Sequence, residues 1–157
     1  MKLTGIALLF LMLLGRCTQS TISSAEPLSA NELTIRTGTS FGMCVGYCVN
    51  EYVFNGTSVT LTQTGRPLAQ NPIKTCQTTI DQATWNTLRA AANLETFSKQ
   101  PETRGCPDCA DGGAEYIELQ TGEQKHRVTF EYGTTIPGFE SLVEALRAQR
   151  TAFKACK

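Results

Sequence analysis

The stretch Phe41-Gly-Met-Cys-Val-Gly-Tyr-Cys-Val-Asn-Glu-Tyr-Val-Phe-Asn-Gly-Thr-Ser-Val-Thr-Leu61 decides the fold. Asn55-Gly56 lies between two β-rich runs, the strongest short-range hairpin signal, because a type I′ turn needs positive φ at both central residues. A turn centred there pairs Phe54 with Thr57, Tyr52 with Val59 and Asn50 with Leu61. Alternation then puts Cys48, Tyr52, Phe54, Val59 and Leu61 on one face. Val49, Glu51, Ser58, Thr60 and Thr62 lie on the other, with Val53 an apolar exception. The first face is core and the second mostly solvent.

Upstream, Glu32–Thr37 alternates apolar and polar residues, with Leu33 and Ile35 on one side, and reads as a short strand. Gly38, Gly42 and Gly46 follow at four-residue spacing. No Lys-Ser/Thr and no dinucleotide-binding pattern accompanies them, so they predict a loop and not a phosphate cradle. Downstream, the turn signals Gly65-Arg-Pro67 and Gln70-Asn-Pro72 lead to an edge strand around Cys76. Thr79 with Gln82 makes a capping box, and Trp85, Leu88, Ala91 and Ala92 form a helical stripe ending near Asn93. Trp85 is a core residue on this reading. Ser98–Gly113 is a polar loop.

A second hairpin follows. Gly122-Glu123 suits a type II′ turn and pairs Leu119 with His126 and Ile117 with Val128. Ile117, Leu119, Val128, Phe130 and Tyr132 share its apolar face, while Glu118 stands across from Arg127 on the other. Pro137 then opens a last helix with the stripe Phe139, Leu142, Val143, Leu146 and Phe153. These elements predict a two-layer α+β domain: a mainly antiparallel sheet of about five strands, with two helices on its apolar face.

With 157 residues the chain has the length of one domain, and 14 basic residues balance 14 acidic ones. That balance offers no electrostatic case for nucleic acid or an anionic membrane surface. At the N-terminus, Lys2 precedes the apolar run Ile6–Leu14, far shorter than the ~20 residues of a membrane-spanning helix. Residues 1–17 therefore read as a signal peptide of lipoprotein type. Leu14, Gly15 and Cys17 follow the bacterial lipidation pattern, and Arg16 stands where that pattern has a small residue. Cys17 is the lipidation candidate. The alternative is plain secretion, with cleavage near Thr18–Ser20 or at Ser23-Ser24-Ala25. Residues 18–31 form a Ser/Thr-rich tether and residues 32–157 the domain. The expected location is a lipoprotein facing the periplasm or cell surface, with the lipid as its only membrane contact; otherwise the protein is secreted or periplasmic.

Seven cysteines behind an export signal point to disulfides. Setting Cys17 aside leaves Cys44, Cys48, Cys76, Cys106, Cys109 and Cys156 as disulfide candidates. Cys76 precedes the first helix and Cys156 ends the last on its packing side, so these two are expected to pair. Cys44 and Cys48 would stand about 13 Å apart in an extended strand, too far for a bond. Either Gly46 kinks the chain and they pair locally, or each bonds across to Cys106 and Cys109. Cross-pairing is the expectation, because it would pin the long polar loop to the main hairpin.

Three motifs resemble those of small exported bacterial domains of unknown function, many of them on lipoproteins. These are Cys44-Val-Gly-Tyr47 with Asn55-Gly56-Thr-Ser-Val59, the helix from Ile80 to Leu88 with Asp81 and Trp85, and the hairpin opening Tyr116-Ile-Glu-Leu119. The resemblance spans about Leu33 to Ala148. Cys48, Cys106 and Cys109 are additions to its pattern. It implies fold and location and carries no activity.

Two function classes follow. The first is a non-catalytic binding or envelope-associated module, with an envelope or extracellular protein or a small ligand as partner, and no cofactor or metal. The second is a thiol-redox or zinc-binding protein using Cys44, Cys48, Cys106 and Cys109, whose short spacings match zinc knuckles. Redox Cys-x-x-Cys pairs sit at helix N-termini, whereas Cys106-Pro-Asp-Cys109 lies in a glycine-rich loop. Asp108 and Asp111 lack the twelve-residue calcium-loop pattern and read as turn formers. His126, the single histidine, would have to serve any Ser-His or Cys-His nucleophile system. Its place on the apolar face makes it a half-buried packing residue instead.

Overall fold

The computed structural model describes residues 32–153. Its element order is β1 (Leu33–Ser40), β2 (Gly46–Asn55), β3 (Ser58–Arg66), β4 (Lys74–Thr79), α1 (Gln82–Ala91), α2 (Leu94–Phe97), β5 (Thr103–Arg104), β6 (Ala114–Thr121), β7 (Gln124–Glu131) and α3 (Glu140–Ala152). The class is α+β, as the sequence indicates. The sheet is larger than the five strands expected: it has seven, in the order β4-β3-β2-β1-β6-β7-β5. It is mixed, because β5 pairs parallel with β7 while the other neighbours are antiparallel. Two residues carry no periodicity, so β5 is invisible in the polar stretch that precedes β6.

Strand β1 lies at the centre, paired with β2 on one side and β6 on the other. It therefore joins the two hairpins into one sheet. It also runs on through Gly38 to Ser40, where the sequence reading placed a loop. Gly38 is required there: a Cβ at this position would run into the Asn50 carbonyl and the Tyr116 ring, which lies over it from the neighbouring strand.

The face assignment of the first hairpin holds, and its register differs. Asn55 pairs with Ser58, Phe54 with Val59 and Tyr52 with Leu61. The turn residues are Gly56 and Thr57, and only Gly56 has positive φ, at 57°. A turn with glycine at its first central position suits the flanking twist as well as Asn-Gly does. Moving the pairing one residue along both strands leaves every side chain on its face, so the core face survives the shift. The second hairpin keeps the expected register, with Leu119 opposite His126, Ile117 opposite Val128 and Glu118 opposite Arg127. Tyr132 is a correction: it falls beyond β7 and is exposed.

One hydrophobic core gathers Ile35, Tyr52, Phe54, Val59, Leu61, Ile117, Leu119, Val128 and Phe130 from the sheet. Trp85, Leu88, Phe97, Phe139, Leu142, Val143 and Leu146 meet them from the helical layer. Helix α1 starts later than the predicted capping box, because Asp81 and not Thr79 caps it. The Asp81 carboxylate accepts the Thr84 amide at 2.6 Å, which holds its pKa below the ordinary carboxylate value. Thr79 is taken up by β4. Leu94–Phe97 forms a separate turn of helix capped by Asn93, which drives Phe97 into the core. Helix α3 begins at Glu140, three residues after Pro137, since Gly138 sits at φ 83° and breaks the helical path. No helix among the described residues is long and apolar enough to cross a membrane.

Candidate functional site: the stapled-loop end of the sheet

The strand directions place four connections at one end of the sheet: 41–45, 67–73, 105–113 and 132–139. Glu32, where the described chain starts, lies at the other end beside the Gly56 turn. The eight residues of β1 separate the two ends by about 26 Å.

Cysteine pairing at this end departs from the cross-pairing expectation. Cys44 bonds to Cys48, with Cα atoms 5.6 Å apart, and Cys106 to Cys109, with Cα atoms 5.4 Å apart. The extended-strand distance does not apply to the first pair. Cys44 lies ahead of β2, Gly46 turns the chain at φ 100°, and the register slips by a residue between Tyr47 and Val49. The kink brings Cys48 back toward Cys44 and buries Cys48 completely. Cys76 stands on β4 opposite Leu61 and is disulfide-bonded. Its expected partner Cys156, like Cys17, lies outside the described residues.

No disulfide crosses from the loop 105–113 to the first hairpin; Asp108 instead pins this loop to the 41–45 connection that leads into that hairpin. Its Oδ1 accepts the Gly42 amide at 3.2 Å and the Gly113 amide at 3.1 Å, and its own amide donates to the Gly113 carbonyl. Asp108, Ala110 and Asp111 all adopt positive φ between 51° and 59°, so the segment is a sequence of tight left-handed turns. Asp108 is thus a turn former. The Cys106 amide donates to Glu131 Oε1 at 2.7 Å, tying the same loop to β7.

The other loops interlock with it. Arg66 Nη1 donates to the Gly42 carbonyl at 2.7 Å, and the Tyr47 hydroxyl donates to the Pro72 carbonyl at 3.1 Å. The Lys74 ammonium sits 4.5 Å over the Tyr47 ring, and Phe41 meets Tyr132 edge-on at 5.0 Å. On this framework stand Met43, Val45, Leu68, Ile73 and Tyr132, between 51% and 86% exposed. They are all of the strongly exposed large hydrophobic residues among the described ones, and all belong to this end.

Beside the loops, on the helical side of the sheet, lies a cleft of about 410 Å³ lined by Thr39, Tyr52, Glu115, Tyr132, Arg147 and Arg150, among others. Glu115 occupies the core-face parity of Ile117 and Leu119, with its side chain 1% exposed. Two cations from α3 meet it. Arg147 donates through Nε and Nη2, the latter at 2.8 Å, and Arg150 donates through Nη2 at 2.6 Å. The Gly133 amide adds a fourth donor group. Burial pushes the Glu115 carboxyl up, but the hydrogen bonds from Arg147, Arg150 and Gly133 outweigh it and hold the pKa below the ordinary value. Arg150 Nη1 also donates to the buried Thr37 hydroxyl at 2.6 Å.

Sequence reasoning passed over this cluster. Glu115 carried a signal, as a carboxylate two residues before Ile117 on a face otherwise apolar. Arg147 and Arg150, three apart on α3 at the margin of its stripe, gave no sign of reaching the sheet.

The open face of the sheet is polar. The Tyr116 hydroxyl donates to Glu51 Oε2 at 2.7 Å; burial first, then that bond and the Glu51 charge, raise the Tyr116 pKa. Glu118 pairs with both Arg36 and Arg127. His126 is half-buried, edge-on to Phe97 at 5.8 Å, with Nε2 at 2.9 Å from the Gln100 carbonyl. It lies near the opposite end from the cysteine loops. Among the described residues no three His, Cys, Asp or Glu side chains are grouped to hold a metal ion. Comparison with protein-family models and with curated proteins finds no match to this chain.

Proposed function

We propose that this chain is an exported, non-catalytic binding module stabilised by disulfides, anchored to the membrane through a lipidated Cys17. It recognises an envelope or extracellular protein, or a small ligand, with the stapled-loop end of its sheet. One observation carries the reading. The exposed large hydrophobic residues Met43, Val45, Leu68, Ile73 and Tyr132 are concentrated on loops that two local disulfides and a set of interloop hydrogen bonds hold in place. Concentrated exposed apolar surface marks interaction sites, and loops already ordered before binding lose less entropy in the complex. The chain enters the domain at the other end of β1, so a tether over residues 18–31 would direct these loops away from the membrane. The resemblance to small exported lipoprotein domains agrees with this placement.

Capture of partners from envelope extract tests the reading. The intact protein retains a specific protein or ligand, and Met43→Glu with Val45→Glu abolishes retention while the melting temperature stays unchanged. Equal retention by the variant refutes it. Mass spectrometry of the membrane-extracted protein tests the anchor: the expected N-terminal peptide starts at Cys17 and carries two or three acyl chains, since one chain anchors only marginally. An unmodified peptide starting after Cys17 refutes it.

A second reading, thiol–disulfide exchange or zinc binding through Cys44, Cys48, Cys106 and Cys109, is favoured by the exposure of both Cys106 and Cys109. A thiol count with metal analysis separates the two. No free thiol and no metal supports the binding module, and four free thiols with zinc support the second reading.

A further inference from the structure

We infer that the cleft between α3 and the β1–β6 end of the sheet binds a small oxyanion, a carboxylate or a phosphate. The inference deepens the proposed function by naming a ligand chemistry, and it rests on that reading only in treating this end as the recognising end.

Among the described residues, Glu115 is the only acid lining the cleft, and Arg147 and Arg150 are its only cations. One carboxylate cannot neutralise two guanidinium groups, so these described lining residues carry a net positive charge. That charge is half-buried: the Arg150 side chain is 10% exposed and the Arg147 side chain 28%. A structural clamp between helix and sheet would be complete with a single arginine. The second leaves an excess cation in a concave, partly desolvated place, where an anion gains most.

Donor geometry points the same way. Each guanidinium presents five N–H groups in a rigid fork suited to planar oxyanions. Arg147 uses Nε and Nη2 on Glu115 and the Thr134 carbonyl, and its Nη1 makes no hydrogen bond to a described residue. Arg150 uses Nη1 on Thr37 and Nη2 on Glu115, and its Nε makes none. Glu115 and Thr37 thus hold both forks in place from the sheet and leave donors over. The Tyr52 and Thr39 hydroxyls, also in the lining, have no hydrogen-bond partner among the described residues. Burial raises the Tyr52 pKa, against a smaller lowering by the Arg150 charge, so this hydroxyl stays a neutral donor at physiological pH. A volume of about 410 Å³ admits a small organic acid as well as an inorganic ion.

The test titrates the full exported chain with sodium benzoate and, separately, inorganic phosphate, at constant ionic strength set with sodium chloride. Two-dimensional amide NMR follows Thr39, Gly133 and Thr151, and arginine Nε signals report the forks directly. The expected result is saturable shifts confined to the cleft for at least one probe, with a dissociation constant in the millimolar range. Saturation by benzoate alone identifies the carboxylate source, saturation by phosphate alone the phosphate source, and both support the inference. Arg150→Gln is expected to weaken binding at least about tenfold. Should that variant fold poorly, Tyr52→Phe keeps the ring and both ion pairs and is expected to weaken binding about threefold or more.

Shifts that do not saturate for either probe up to about 100 mM overturn the inference, as does affinity unchanged in Tyr52→Phe and in a folded Arg150→Gln. Loss of partner capture in Met43→Glu with no anion binding discards the cleft and leaves the proposed function standing. Anion binding with capture indifferent to Met43 does the reverse.

Discussion

Glu115→Gln isolates the buried ion cluster with almost no change in volume. In the native protein the carboxylate accepts from Arg147 Nε, Arg147 Nη2, Arg150 Nη2 and the Gly133 amide. The amide of glutamine keeps one acceptor oxygen and turns an N–H₂ group toward these donors. Two guanidinium groups are then left without a counter-charge beside a side chain that is 1% exposed. Removing one partner of a buried ion pair costs about 3–5 kcal/mol. Arg147 keeps 28% of its side-chain surface in water, which places the loss at the lower end, about 3 kcal/mol. For a domain of this size that is a fall in Tm on the order of 10 °C.

Urea unfolding followed by the fluorescence of Trp85 measures it, with a lower midpoint and an unchanged slope. The pH dependence adds a second arm. The folded-state pKa of Glu115 lies below its unfolded value of about 4.3. Its contribution is therefore full above that value and is lost as pH falls through the lower folded value. The gap between parent and variant should be complete at pH 7, and should shrink once the pH drops below about 4. An unchanged midpoint at pH 7, or a gap that persists undiminished in acid, would refute the reasoning.

Three further outcomes follow from the same structure. Leu146, fully buried on α3, should cost about 2–5 kcal/mol when truncated to Ala, and a parental denaturation midpoint would mean that its stripe does not pack on the sheet. Ala110 sits at φ 51°, so Ala110→Gly should raise stability by about 0.5 kcal/mol; a loss in thermal unfolding would count against the left-handed geometry of that loop. Non-reducing peptide mapping should return Cys44 with Cys48, Cys106 with Cys109, and Cys76 with Cys156. A peptide joining either of the first two to Cys106 or Cys109 contradicts the local pairing.

Much of the layer structure was legible in the chain, because burial on one face writes a local period into the sequence. Tyr52, Phe54, Val59 and Leu61 announce their common face through alternation, and Leu142, Val143 and Leu146 announce theirs through helical spacing. Gly122-Glu123 set its hairpin register unaided, since a two-residue turn leaves the strands one way to pair. Gly56-Thr57 showed the limit of that rule: Asn-Gly and Gly-Thr both make acceptable turns, and the pairing of Asn55 with Ser58 chose between them.

What the tertiary structure alone decided depends on contacts between residues far apart in the chain. The central place of β1 rests on its pairing with β6, more than seventy residues later, and no local pattern encodes it. Cysteine pairing turned on the backbone path at Gly46 and on Asp108 holding the loops together, so counting residues along an extended strand misjudged it. The Glu115–Arg147–Arg150 cluster arises where the polar margin of α3 crosses the sheet. Each residue is unremarkable in its own segment, and only packing brings one carboxylate under two arginines and makes that end of the sheet a place where an anion can be held.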